Sequence, residues 1–151
     1  NPYTGVMAIF ACRLLNGNAP IIYEDGAQLR DFVNVRDVAR AFRLALERHD
    51  VQDCAVNIGS GRQISIARVA QILADVLGRP EIEPRYEGKY RVGDVRHCFA
   101  DIGRAESLLG YEPSVSLEAG VEELGEWLAR QQATDYAPRA AAELSRRGLT
   151  L

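Results

Sequence analysis

Apolar positions along this chain follow a helical period in some stretches and form short β-branched runs in others. Val6, Ile9, Phe10 and Leu14 share one helical face, ended by Asn16-Gly17. This predicts a helix over residues 5–16, entered through Asn1-Pro2-Tyr3-Thr4. Ala19-Pro20 leads into a short strand, Ile21-Ile22-Tyr23, closed by the turn Glu24-Asp25-Gly26. Residues 31–35 read as a second strand. Asn34 is placed to cap the next helix, with Asp37 in its first turn and Val38, Phe42, Ala45 and Leu46 as its buried face.

Ala55-Val56-Asn57-Ile58 reads as a strand ending in Gly59-Ser60-Gly61. Ser65 caps a helix with the stripe Ile66, Val69, Ile72, Leu73 and Val76, ended by Gly78 and Pro80. An extended segment is expected over 81–86, a polar loop over 87–94, a strand near 96–99 and a short helix over 102–109. Ser116 opens a further helix with Leu117, Val121, Leu124 and Leu128 on one stripe beside Trp127. Residues 135–147 predict a last helix, rich in alanine and arginine, on the outside. No repeat or linker interrupts the pattern, and one α/β unit is expected.

Composition changes this picture little. At 151 residues, with 47% apolar and 26% charged positions, the chain has room for one small core. A net charge of −3 gives no overall field for nucleic acid or an anionic membrane, so any basic site must be local. Cys12, Cys54 and Cys98 are widely spaced with no C-x-x-C pair, against a disulfide scaffold or zinc site and in keeping with a reducing cytoplasm. No run of about 18 apolar residues occurs. Of 18 basic residues, Lys89 alone is lysine.

Three places carry candidate chemistry. Arg30 stands between the glycine turn and the second strand, where a guanidinium can grip a phosphate with two hydrogen bonds; pairing with Asp31 or Asp37, or plain solvation, is the ordinary alternative. Lys89, Arg91, Arg96 and His97 surround Gly93 and Asp94, a plausible anion-receiving loop or a solvated charge run. Tyr23 ends its strand and could stack on a flat ligand or be half-buried. His49 and His97 have no nucleophile or ligand pattern about them, and Glu122-Glu123 reads as a solvated helix face.

The string from Asp25 to Ala39, with Arg-x-Gly-Asp at 91–94 and Ala100-Asp101 ahead of a helix, resembles the extended short-chain dehydrogenase/reductases that epimerise or dehydrate nucleotide sugars. The similarity runs from Asn1 to about Leu128 and corresponds to the C-terminal, sugar-nucleotide half of UDP-glucose 4-epimerase-like enzymes. The resemblance implies that Arg30 and Arg91 meet the diphosphate, Asp94 lies near the ribose, Tyr23 stacks on the base and backbone groups of Ile22 contact base edges. Where many members carry an asparagine, this chain has Gly5-Val6, which leaves backbone N–H groups at a helix start to face the anion. Gly59-Ser60-Gly61 matches a structural turn.

The family's hydride chemistry needs a glycine-rich dinucleotide turn and a Tyr-x-x-x-Lys pair, in which lysine lowers the tyrosine pKa. Neither is here: the residue four before Lys89 is Arg85. The resemblance therefore implies residues 1–130 as a nucleotide-sugar-binding half and 131–151 as a peripheral helix. It places the Rossmann domain, its NAD and all catalytic residues outside this sequence, with no metal. UDP- or dTDP-sugars are the implied ligands, 4-epimerisation the favoured reaction, and a cytoplasmic homodimer the implied parent. The helix from Val38 to Leu46 is expected to face the cofactor domain, so the chain alone is expected to be inactive and prone to self-association. A stand-alone nucleotide-binding module or an inert truncated fragment is the alternative.

Overall fold

A computed structural model describes residues 5–51 and 53–150; the expected helix entry at Asn1–Thr4 lies outside them. The order is α1 (Val6–Leu15), β1 (Ile21–Ile22), β2 (Leu29–Arg30), α2 (Val35–Glu47), β3 (Ile64–Ser65), α3 (Ile66–Val76), β4 (Arg85–Tyr86), β5 (His97–Cys98), α4 (Gly103–Leu109), α5 (Leu117–Leu128) and α6 (Ala137–Arg146). The chain forms two compact units instead of the expected one. The first takes Asn1–Gln28, Ser65–Arg96 and Val121–Leu151, and the second takes Leu29–Ile64 and His97–Gly120.

In the first unit α1 packs on α3, and β1 pairs in parallel with β4, Ile21 opposite Arg85 and Ile22 opposite Tyr86. Phe10, Leu14, Ile22, Val69, Leu73 and Val121 are almost wholly buried here. Helix α3 follows its sequence pattern closely. The Ser65 side chain accepts from the Arg68 amide, satisfying one orphan donor of the first turn.

In the second unit β2 pairs in parallel with β5, Leu29 opposite His97 and Arg30 opposite Cys98. Ala41, Ala105, Leu109 and Tyr111 make the core, and the Tyr111 hydroxyl donates to the Gly59 carbonyl at 2.9 Å. Asn34 caps α2 as expected, accepting from the Arg36 amide.

Two strands expected from sequence are absent as strands. Residues 31–35 leave the ladder after Arg30, because Asp31 bonds to a loop instead. Its carboxylate accepts from the Ser60 amide (2.8 Å), the Ser60 hydroxyl (2.5 Å), the Gly61 amide (3.1 Å) and the Ala100 amide (3.4 Å). Residue 59 must be glycine here, since a Cβ would sit 2.5 Å from both the Asp31 carboxylate and Ala100 Cβ. Residues 55–58 are irregular, with Val56 and Ile58 packed on the core without a ladder partner.

Helix α2 also departs from expectation. Ala41 and Asp37 are its buried positions, Val38 is half-buried and Ala45 exposed, while Phe42 and Leu46 stand 70% and 81% exposed. The helix faces its core through a carboxylate. Asp37, 1% exposed, accepts from the Ser114 amide (3.1 Å), the Ser114 hydroxyl (2.6 Å), the Val115 amide (3.0 Å) and the Arg40 guanidinium (2.9 Å). Burial alone pushes this carboxyl upward, but the bonds from Ser114, Arg40 and Val115 outweigh it and hold the pKa down to about 2.

A carboxyl depressed from 3.8 contributes stability above its unfolded value and loses it as pH falls through the folded value. Asp37→Asn is expected to cost on the order of 2 kcal/mol at pH 7. In urea titrations the gap from the parent should narrow below about pH 4 and largely close near pH 2. A gap that stays constant with pH would contradict this assignment.

Candidate nucleotide site

Two loops of the first unit are tied together around Tyr23 and Arg91. The turn after β1 is pinned from both sides: Gln28 donates its Nε2–H to the Tyr23 carbonyl (2.7 Å), and the Glu24 amide donates to the Lys89 carbonyl (2.7 Å). Glu24 adopts a positive φ of 57°, rare for a side-chain-bearing residue. Arg96 then clamps the turn, donating to the carboxylates of Glu24 and Asp25. The Arg96 hydrogen bond, helped by the Ala27 amide, lowers the Asp25 pKa.

This pinning sets the Arg91 guanidinium over the Tyr23 ring, 5.3 Å from its centroid. Arg91 Nε is buried and has no hydrogen-bond partner among the described residues. A buried guanidinium N–H left unfilled is costly, so this donor marks a place for an acceptor. Gly93, at φ 81°, turns the same loop in a conformation that side-chain-bearing residues rarely adopt.

Tyr23 and Arg91 line a cleft of about 290 Å³ with Ile9, Cys12 and Ile21 on one side and Tyr136, Ala140 and Leu144 on another. That volume is close to the lower end of the roughly 300–1,000 Å³ seen for small-molecule sites. Its lining is mostly apolar, with Arg91 as its cation and Asp135 as its carboxylate. Such a slot suits a flat ring joined to an anionic group.

The other expected site residues lie as follows. Ile22 is core, 1% exposed, and its carbonyl accepts from the Glu87 amide. Gly5 is the exposed N-cap position of α1; its carbonyl accepts from the Ala8 and Ile9 amides, and no group lies within 4 Å of where a Cβ would be. Val6 opens that helix and is half-buried. Asp94 is exposed, its amide bonded to the Arg91 carbonyl. Arg30 belongs to the second unit, half-buried, donating to the Leu29 carbonyl at 2.9 Å. Tyr23 and Arg91 are thus brought together, with Asp94 on the same loop. Ile22, Gly5 and Val6 do not line the cleft.

The two aspartates that follow arginine in the string from Asp25 to Ala39 have structural work, Asp31 on the Gly59-Ser60-Gly61 turn and Asp37 on Ser114. The Ser60 and Gly61 amides are therefore spent on a carboxylate, and this Gly-x-Gly turn has no free amide pair for a dinucleotide phosphate. Asp135, which carries no local sequence signal, lines the cleft. Its partner, Arg13, is 122 positions away.

Among the described residues, no helix is long and apolar enough to cross a membrane. A small α/β unit with an arginine–tyrosine pair at an apolar cleft is the class of site these observations define. Comparison with known proteins narrows it. The NAD dependent epimerase/dehydratase family matches residues 1–59. The chain is 40% identical over 131 residues to the dTDP-L-rhamnose 4-epimerase of Burkholderia thailandensis, covering 87% of this chain and 36% of that protein. The solved UDP-glucose 4-epimerase with UDP-glucose from Thermotoga maritima superposes with a TM-score of 0.77 at 39% identity, over 86% of this chain and 41% of that one. A UDP-N-acetylglucosamine 4-epimerase from Methanobrevibacter ruminantium, in complex with UDP-N-acetylmuramic acid, gives 0.78 at 32% identity, over 87% and 41%.

This chain belongs to the NAD dependent epimerase/dehydratase family. It spans 36–41% of the length of these relatives.

Proposed function

We propose that the chain is the nucleotide-sugar-binding portion of an NAD-dependent nucleotide-sugar epimerase or dehydratase, with sugar 4-epimerisation the favoured reaction of the whole enzyme. The observation that carries this reading is the buried, unpartnered Arg91 Nε beside Tyr23 in an apolar cleft. Arg91 supplies the donor for a phosphate oxygen, and the cleft takes the base. Asp94, on the same loop as Arg91, sits by the ribose.

The residues of this chain do not fit a nicotinamide dinucleotide. The Gly59-Ser60-Gly61 turn is filled by Asp31, and Lys89 has Arg85, not tyrosine, four residues before it. No chemical step is assigned to the chain itself. The cofactor and the catalytic tyrosine belong to sequence beyond these 151 residues, and the chain alone is expected to show no turnover. The relatives' names favour UDP- and dTDP-linked sugars as ligands. A stand-alone nucleotide-binding module would use the same arginine, and the sequence upstream of Asn1 separates the two readings.

The exposed face of α2 supports a missing companion. Val35, Phe42 and Leu46 are 77%, 70% and 81% exposed on one 13-residue helix, beside an apolar groove lined by Ala41, Val51, Val56 and Leu109. An apolar patch of that kind on a small protein marks a contact surface. The cofactor-binding portion is its proposed cover. The isolated chain should bind an apolar dye and self-associate, and Phe42→Ser with Leu46→Lys should reduce both without lowering the melting temperature. A monomer with no dye binding would count against the reading.

Calorimetric titration with UDP, dTDP and GDP tests the ligand class. UDP and dTDP should bind alike, because stacking is tolerant of base identity. Arg91→Ala should weaken binding about tenfold or more, as a charge-assisted hydrogen bond contributes roughly 1.5–3 kcal/mol and 1.4 kcal/mol is tenfold. Unchanged affinity in Arg91→Ala would remove the site assignment.

A further inference from the structure

The C-terminal segment does more than pack on the outside. It crosses the cleft of the first unit and is fastened at both ends. At its start, Asn16 donates to the Ala133 carbonyl at 2.9 Å, and the Asp135 carboxylate accepts from Arg13 and Asn18, each at 3.0 Å. The other Asp135 oxygen accepts from the Ala137 amide at 2.9 Å, so the same side chain anchors the segment and opens α6. This ion pair is nearly buried, with the Arg13 and Asp135 side chains 10% and 9% exposed. Arg13 is itself held by a bond from its Nε to the Ala19 carbonyl at 2.5 Å.

The far end returns to the site. The Val92 amide donates to the Leu149 carbonyl at 3.0 Å, and Arg91 forms an antiparallel bridge with Thr150. The residue that stacks on Tyr23 is thus held in place by the end of the chain. Between these anchors α6 turns Ala137, Ala140, Ala141 and Leu144 toward the cleft. Their spacing is one helical face, and three of the four are alanines. Only Leu144 is buried among them, so the small side chains leave the cleft open where larger ones would fill it.

We propose that residues 133–150 are part of the ligand site: α6 forms the wall that closes on the nucleoside, and the bridge from Thr150 positions Arg91 for the phosphate. Asp135 is a positioning residue that acts through Arg13. This rests on the nucleotide-binding reading and adds to it a ligand-coupled C-terminal strap. The ligand class is a nucleoside diphosphate, whose flat base meets the alanine face while its anion meets Arg91. Nucleotide binding and docking of α6 then stabilise one another.

Hydrogen exchange on the whole chain, with and without dTDP or UDP, tests the strap. At nucleotide concentrations a hundred times Kd, amides of residues 137–146 should exchange up to roughly a hundredfold more slowly, the limit for an opening that expels ligand. Ala141→Phe should fill the cleft and lose at least about tenfold in affinity. Asp135→Asn keeps the shape but removes the charge; it should speed exchange in α6 and weaken binding without changing exchange in α3. If the parent binds nucleotide and Arg91→Ala weakens it, yet α6 gains no protection and Ala141→Phe binds normally, the strap is wrong and the binding site stands. If the parent binds neither nucleotide, both fall together.

Discussion

Strands of two residues cannot hold a fold by their ladders, and every strand described here is that short. What fastens the chain instead is a set of carboxylates that each gather donors from distant sequence. Asp31 collects the amides of Ser60, Gly61 and Ala100; Asp37 collects Ser114, Val115 and Arg40; Asp135 collects Arg13, Asn18 and Ala137. A charged acceptor on a backbone N–H is about twice as strong as a neutral pair. Removing one such carboxylate also strands several donors, so substitution at each position is expected to be costly.

The same constraint explains how a cleft can persist at the edge of a small core. Tyr23 and Arg91 face one another because the turns that carry them are bonded together at Glu24–Lys89, at Gln28–Tyr23 and through Arg96. The Arg91 guanidinium spends its face on the ring and keeps Nε unfilled. Preorganisation of this kind would lower the ordering cost of the proposed phosphate contact, because the cation is already in position. The polar network that holds these turns therefore also shapes the apolar slot beside them.

Much of this was legible in the sequence where the signal is local. Asn34 and Ser65 cap the helices they were expected to cap, since capping depends on residues two or three positions apart. Family resemblance in the Arg30 and Arg91 strings pointed to the right class of protein. The failures share one cause. Asp31 and Asp37 each also gather backbone and hydroxyl donors 29 and 77 positions further on, which local sequence does not reveal. Phe42 and Leu46 have helical spacing without a core beneath them, because Asp37 and Ala41 take the inward face. Residues 55–58 have strand composition but no ladder neighbour, which composition alone does not reveal.

The central claim is that the first unit by itself holds a nucleoside diphosphate, base in the apolar cleft and phosphate toward Arg91. Saturation-transfer NMR on the 151-residue chain with UDP tests it directly. The account predicts strongest transfer to the uracil H5 and H6 protons, weaker transfer along the ribose, and loss of the signal when Tyr23 is replaced by alanine. Transfer spread evenly over the nucleotide and indifferent to Tyr23→Ala, or no transfer at all, would contradict it.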